Sequence, residues 1–516
     1  MSALHEAASR DEKHGRARGV ARRMPPGDPT TSSADAAPSG YRRLSAQDSS
    51  FVLVESDGTQ PYVCAVARFE PPAGAAHTGA LDIERVRAYV ASRLHRLPHY
   101  RQRLAFVPVQ GLPIWIDDVR FDVGCHVHHA GLPHPGGRRE LQALAARIAS
   151  NPLDRDRPLW EIWFVEGLAE GGFAAIVKVH HCMVDGVSGV GVITALLSPT
   201  PETSFEPAPP WSPQPPPSAL TLLADGVVGL AGIGVAALRA ASLALTRPLE
   251  VGASAARLAT STWQTVATGV PPLARTPLNR PIGRARRVDW RSLDLGVLRE
   301  LRKRLDGTLN DVALCVVAGA LSRYLRTRRV PLRGLDFRIV VPVDVRSGDG
   351  DRDAANRVSA WFVTLPLGER NPLRRFEKIR EQTRRRKQSH AANAIDFFMR
   401  FADASGSTQL TSWGVRFVSS LRPYHMIVTN VHGPPVPLYL LGARMLEFHP
   451  LLPLFANQGL AIAMMSYAGR VHIGLNADWD AVRDLEVLAD AFDDSLAELR
   501  DAAERRPAAR RVRGPC

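Results

Sequence analysis

From Leu44 to Leu499 the apolar positions recur with two periods, one of two residues and one near 3.6, and their order outlines the chain. Phe51-Val-Leu-Val-Glu55 and Tyr62-Val-Cys-Ala-Val-Ala-Arg-Phe69 read as strands, and a helix is predicted from about Asp82 to Leu97. Arg138 to Ala149 carries Leu141, Leu144, Ala145 and Ile148 at the spacing of one buried helix face. Gly172 to His180 alternates as a strand, which puts Ile176, Lys178 and His180 on one face and Val177, Val179 and His181 on the other. Asp185-Gly186 supplies a turn and an N-cap, and Val187 to Leu197 reads as a helix.

Residues 201–217 contain Pro-Ala-Pro-Pro-Trp-Ser-Pro-Gln-Pro-Pro-Pro, which neither pairs in a sheet interior nor continues a helix, and so marks a linker. The Ala-, Leu- and Gly-rich stretch from 219 to 270 reads as one or two crossover helices. Helices follow over Leu295 to Leu305, Leu309 to Leu325 and, strongly basic, Leu373 to Gln388. Strands are predicted at Phe337 to Val343, His425 to Asn430, Leu460 to Tyr467 and Arg470 to Leu475, and Ala360 to Leu367 is a further element. Strands scattered among helices in both halves imply an α/β (mixed α+β) protein of two comparable domains. The expected division is a disordered extension over 1–43, one domain over 44–200, linker and crossover helices over 201–275, a second domain over 276–500 and a basic tail over 501–516.

At 516 residues the chain exceeds one ordinary hydrophobic core, and 45% hydrophobic with 22% charged residues is globular usage. Sixty-five Lys and Arg against fifty-one Asp and Glu leave a charge of +14, which favours anionic surfaces without choosing among phospholipid, nucleic acid and phosphorylated substrate. Five dispersed cysteines without a CxxC pair suggest neither a disulfide framework nor a zinc site, and fit a reducing cytoplasm. Residues 1–43 lack a leader-like apolar core, and the longest run without polar side chains, Gly226 to Leu238, has thirteen residues, short of a membrane span.

The chemistry concentrates in His180-His181-Cys182-Met183-Val184-Asp185-Gly186. Adjacent residues on a strand diverge, so one histidine can face a reaction channel while the other is packed. Acyl transfer to an alcohol needs a base, and neutral imidazole, with a pKa near ~6.5, suits it. Asp185 is placed either to orient the ring or to fix the turn through an arginine.

His180-His181-Cys182-Met183-Val184-Asp185-Gly186 resembles the HHxxxDG signature of CoA-dependent acyltransferases related to chloramphenicol acetyltransferase, which peptide-synthetase condensation domains also carry. Pro152-Leu-Asp-Arg-Asp-Arg-Pro-Leu-Trp-Glu161, Asn310-Asp311, Val341-Pro-Val-Asp-Val-Arg346, Asn356-Arg357-Val-Ser and Thr429-Asn-Val-His-Gly-Pro434 resemble, in order, blocks of the bacterial wax ester synthase/diacylglycerol acyltransferase family. His432 stands where that family usually has proline. The resemblance implies two chloramphenicol-acetyltransferase-like domains with the active-site channel at their junction. It implies transfer of a long-chain acyl group from acyl-CoA, a substrate rather than a cofactor, to diacylglycerol or a long-chain alcohol. His181 would be the general base, with direct attack and no acyl-enzyme; His180 would support it, and Asp185 and Gly186 would be architectural. Asn310 reads as an oxyanion or positioning donor or as part of a helix start, and Asp311 as a dipole partner. Asn430, Gly433 and Pro434 read as channel lining or as a turn, and Pro158-Leu159-Trp160 as structural.

Among the rival readings, metal binding would use His126, His128 and His129, of which His126 and His128 share a face without carboxylate or cysteine partners at ligand spacing. Cys182 invites a thiol-nucleophile reading, and its side chain would leave the strand away from His181. Condensation on carrier-protein acceptors is the enzymatic alternative. The basic stretches Arg374 to Lys387 and Arg505 to Arg513 lack the interleaved aromatics of a nucleic-acid surface and suit peripheral contact with an anionic membrane or lipid droplet.

Overall fold

The computed structural model describes residues 40–71, 81–108, 111–184, 193, 195–227, 242, 246, 273–344, 358–388 and 424–505. A three-stranded sheet is built from β1 (Tyr41–Arg43), β3 (Gln102–Phe106) and β4 (Pro113–Asp117), in the order β1-β4-β3. A six-stranded sheet takes β2 (Tyr62–Phe69), β5 (Val127–Gly131), β6 (Trp160–Glu166) and β7 (Phe173–His180) from the first half of the chain. Its other two strands, β12 (Tyr439–Leu440) and β13 (Ala443–Leu451), come from the second half, giving the order β12-β13-β2-β7-β6-β5. The second six-stranded sheet runs β10-β9-β11-β14-β15-β8, from β8 (Arg286–Asp294), β9 (Phe337–Asp344), β10 (Val358–Leu365), β11 (Met426–His432), β14 (Leu460–Tyr467) and β15 (Arg470–Asp478). The protein is thus a mixed α/β structure with two sheet-rich domains, each around its own hydrophobic cluster.

The central helix of the second domain, Leu309–Thr327, starts where its sequence dictates: the Thr308 side chain accepts from the Asp311 amide (3.1 Å), and the Asp311 carboxylate accepts from the Thr308 amide (2.8 Å). Asp311 also accepts from the Thr383 hydroxyl at 2.6 Å, so this buried carboxylate is a structural one. Paired with the helix Leu295–Arg304, Leu309–Thr327 has the length and composition of a membrane span. The two meet at 106°, however, and fourteen residues of the longer helix are buried in the core. No single helix among the described residues is long and apolar enough to cross a membrane.

The sheets are coupled because the chain crosses between them. β13 pairs antiparallel with β2, His449 opposite Val66 and Leu451 opposite Cys64, and runs across β15 so closely that a Cβ on Gly474 would stand 1.7 Å from the Pro450 carbonyl oxygen. The helix Arg138–Ser150 packs on β8, where Gln142 Nε2 donates to Asp289 (2.7 Å) and the Arg286 amide donates to Ser150 Oγ (2.9 Å). Arg138 donates to Asp289 as well.

Two expectations are corrected here. Phe51 to Glu55 is no strand: Ala46–Val54 forms a helix, α1, capped by Ser45, whose Oγ accepts from the Asp48 amide at 3.0 Å. A cap followed by consecutive apolar residues outweighs the β-branched character of the valines, and puts Phe51 and Glu55 one helical turn apart. Order also begins before Leu44, since Tyr41–Arg43 pairs with Ile114–Ile116; residues 1–39 lie outside the described residues. The proline-rich linker forms neither helix nor strand, and lies along the first domain through Phe205 edge-on to Tyr89 (5.3 Å) and the Gln214 amide donating to Asp117 (2.9 Å). Of the crossover helices, 219–227 is helical; the rest of 219–270, apart from 242 and 246, and most of the helix expected at Val187 to Leu197 fall outside the described residues.

Candidate active site

His180 ends β7 and pairs with Tyr62, the first residue of β2, while the His181 amide carries the ladder one step further to the Pro61 carbonyl (2.8 Å). There the chain tightens into a 3-10 turn, His181–Met183, and strand alternation stops. In place of rings directed to opposite sides, both rings meet α1: His181 stacks on Phe51 at 3.9 Å between centroids and 20° between planes, and His180 Nε2 lies 3.5 Å from the Glu55 carboxylate.

His180 is buried, and its Nδ1 accepts from the Cys182 amide at 3.2 Å. An accepting Nδ1 carries no proton, so in the neutral ring the proton resides on Nε2, facing Glu55. Glu55 is held by two further groups: the Tyr62 hydroxyl donates to it at 2.6 Å and Arg155 pairs with it, while the Leu153 amide donates to Tyr62 at 3.4 Å. Burial alone would raise the carboxyl, but the adjacent His180 ring, the Tyr62 hydrogen bond and the charge of Arg155 outweigh it and bring the pKa down to about 2. The sequence reading missed Glu55; its place one turn after Phe51 becomes visible only once residues 46–54 are read as a helix.

The 152–161 block explains itself in these contacts. Arg155 holds Glu55, Leu159 O accepts from the His180 amide (2.9 Å), and the buried Trp160 donates from Nε1 to the Tyr100 carbonyl (2.8 Å). Lys178, wholly buried on the His180 face, donates to the Ile148 carbonyl (2.9 Å) and to Glu161 (3.2 Å). Pro158-Leu159-Trp160 is accordingly packing that fixes the strand end.

His181 is the partly exposed member of the pair. Enclosure of its ring disfavours the charged form and lowers the pKa to about 4, and the neighbouring His180 adds to the effect. The ring is therefore neutral near pH 7 and ready to accept a proton. Cys182 is buried, and burial with the nearby Asp48 and Glu55 carboxylates pushes its thiol well above its ordinary value, which leaves it protonated and a poor nucleophile. Asp185 and Gly186 lie outside the described residues.

Asn310 is the second residue of the helix Leu309–Thr327 and half-buried; Thr308 and Asp311 do the capping. Asn430 lies on β11, half-buried, and its neighbour Val431 packs against the cluster that contains Cys182 and Met183. Gly433 faces the Ser466 carbonyl so closely that a Cβ would be 2.2 Å away, Pro434 is buried, and His432 is exposed. Among the described residues no hydrogen bond, ion pair or ring contact links Asn310, Asn430, Gly433 or Pro434 to His181. His126, His128 and His129 go to separate partners: the Trp160 carbonyl (2.9 Å), Glu161 (3.9 Å) and Glu166.

A two-sheet acyltransferase fold whose histidine pair closes a strand is the class that these features define. The sequence matches the wax ester synthase/diacylglycerol acyltransferase catalytic domain over residues 44–313 and the WS/DGAT C-terminal domain over 354–500. A putative diacylglycerol O-acyltransferase of Mycobacterium tuberculosis is 32% identical over 479 residues, 90% of this chain and 91% of the relative. One from Mycobacterium bovis is 32% identical over 436 residues, 84% and 91% of the two chains. Among solved structures, the wax ester synthase/diacylglycerol acyltransferase from Marinobacter aquaeolei VT8 superposes with a TM-score of 0.62 at 24% identity, covering 90% of this chain and all of that one. The starter condensation domain of rhizomide synthetase shares the fold, with a TM-score of 0.53 at 14% identity and coverage of 90% and 95%. The chain belongs to the wax ester synthase/diacylglycerol acyltransferase family, and it is an acyltransferase.

Proposed function

We propose that the protein moves a long-chain acyl group from a coenzyme A thioester to the hydroxyl of diacylglycerol or a long-chain alcohol, with His181 as general base. The observation that carries this reading is the stacked, neutral His181 ring at the end of β7. The imidazole takes the hydroxyl proton as the oxygen attacks the thioester carbonyl. Collapse of the tetrahedral adduct breaks the C–S bond, and the imidazolium returns its proton to the departing CoA thiolate. No protein nucleophile is required, in keeping with the protonated thiol of Cys182, and acyl-CoA enters as substrate with no resident cofactor.

His180 is a positioning residue. Its fixed tautomer ties the strand end to Glu55, and Glu55 to Arg155 and Tyr62, which holds α1 and therefore Phe51 against His181. Since Thr308 and Asp311 cap the helix, the Asn310 amide is left for substrate, as an oxyanion or positioning donor. Asp185 and Gly186 keep an architectural role in this reading, while Asn430 lines the substrate path and Gly433 and Pro434 hold the turn beside it. Lipid acceptors also call for peripheral contact with an anionic lipid surface, which the +14 charge supports.

The test is product analysis: protein, palmitoyl-CoA and either diolein or hexadecanol, followed by chromatographic separation of the lipids. Triacylglycerol or wax ester is expected. No ester from either acceptor, where a working relative gives product, would refute the reading.

A further inference from the structure

Nine large apolar side chains stand exposed among the described residues, and five of them belong to or adjoin one small unit: Phe106, Val119, Leu220, Leu223 and Val227. The unit is the sheet β1-β4-β3 with the helix over 219–227 laid on it. Leu222 points inward to a cluster of Val107, Ile114 and Ile116, the Tyr41 hydroxyl bonds Asp225, and Gly226 comes down on Val107 and Pro108, where a Cβ would be 3.3 Å from the Pro108 carbonyl. With Leu222 taken by the sheet, the outer side of the helix presents Leu220 (78% exposed), Val227 (62%) and Leu223 (38%), and Phe106 (46%) stands beside Val107.

The charges of this sheet and its turns are asymmetric. Arg43 and Arg120 are exposed and of the nearby carboxylates Asp122 is too, whereas Asp225 bonds Tyr41, Asp117 accepts from Gln102 (3.0 Å) and the Gln214 amide (2.9 Å), and the buried Asp118 accepts from the Arg120 amide (3.0 Å). Exposed leucines and valine bordered by arginines match a surface whose interior is hydrocarbon and whose rim is phosphate.

We infer that the helix over 219–227 and the adjoining end of the β3–β4 hairpin are the face on which this protein docks to an anionic lipid bilayer. The inference deepens the reading of a lipid acceptor and rests on it for its purpose: a peripheral face anchored by three aliphatic side chains would hold the enzyme where its water-insoluble acceptor resides. Burial of those side chains supplies the affinity, and the arginines the preference for anionic headgroups.

The experiment is co-sedimentation of the full chain with vesicles of phosphatidylcholine alone and of phosphatidylcholine mixed with phosphatidylglycerol. Wild type is compared with Leu220→Ser/Leu223→Ser/Val227→Ser, with the single Leu220→Ser and with Arg43→Glu/Arg120→Glu. All are assayed in parallel for ester formation from detergent-dispersed hexadecanol, and by size-exclusion chromatography. The triple variant is expected to lose at least about tenfold in vesicle binding, with Leu220→Ser in between, and to keep its rate in detergent. The arginine variant is expected to lose the preference for phosphatidylglycerol and its salt sensitivity. Undiminished binding of the triple variant, binding by wild type to neither vesicle, or a lowered oligomeric state of the triple variant with vesicle binding intact would each overturn the inference. Failure of the acyl-transfer reading is distinguished by the absence of ester in detergent, whatever the vesicles show.

Discussion

Phe51→Ala tests the environment that makes His181 a neutral base. Enclosure takes this imidazole from 6.5 to about 4, which corresponds to about 3 kcal/mol against the charged form. Phe51 covers one of the two ring faces at 3.9 Å, so its removal readmits water to about half of the enclosed surface and should raise the pKa by about 1 unit. The assay is kcat/KM for labelled palmitoyl-CoA against pH, which reports the free enzyme's base. Wild type should hold a plateau from pH 8 to about 5 and lose activity only as pH falls toward 4. Phe51→Ala should lose activity from about one pH unit higher, with Phe51→Leu between the two. Because Phe51 is half-buried, the cost to stability should be about 2 kcal/mol, below that of a fully buried phenylalanine; initial rates after short exposure to each pH separate titration from unfolding. A wild-type acid limb near 6.5, or coincident limbs in wild type and Phe51→Ala, would refute the reasoning.

Three further outcomes follow from the same contacts. Glu55 has its pKa brought down from 4.5 to about 2, so it contributes stability that is complete above about pH 4.5 and is lost as pH falls toward 2. Glu55→Gln should cost about 3 kcal/mol at pH 7 and lower kcat more than it raises KM, with the difference in urea stability from wild type shrinking at pH 3; an equal difference at both pH values would count against the Glu55 account. Cys182→Ala removes a protonated, buried thiol and should leave kcat within about twofold while costing about 1 kcal/mol of stability; loss of activity in a folded protein would restore the thiol-nucleophile reading. Gly474→Ala would place a methyl 1.7 Å from the Pro450 oxygen and should cost about 3 kcal/mol or more through the contact between the sheets, seen as a lowered Tm; an unchanged Tm would contradict the close crossing.

Much of the architecture was legible because period is a local property. β14 was expected over Leu460 to Tyr467, the residues it occupies, and the helix from Arg138 gains only Ser150. What pattern cannot give is pairing: nothing around Ala443–Leu451 says that this strand leaves its own half of the chain to join β2. The histidine motif was legible from residue types at fixed spacing, whereas its surroundings were not. Phe51 and Glu55 reach His181 and His180 only because Ala46–Val54 is a helix, and a short apolar run with two valines reads as a strand until its Ser45 cap is given weight. The divergence expected of His180 and His181 held only while the strand continued, and the 3-10 turn that ends it follows from a backbone path that side-chain alternation does not encode.

The central claim is that His181 takes the acceptor's proton and no acyl-enzyme forms. Its most direct test is the transfer of labelled palmitate by wild type and His181→Ala, with and without hexadecanol. With acceptor present, wild type should make wax ester, and His181→Ala should fall by about a thousandfold or more while still binding palmitoyl-CoA. Without acceptor, neither protein should release a burst of CoA or retain label after denaturation. Ester formation by His181→Ala at near wild-type rates, or palmitate bound covalently to the wild-type chain, would contradict it.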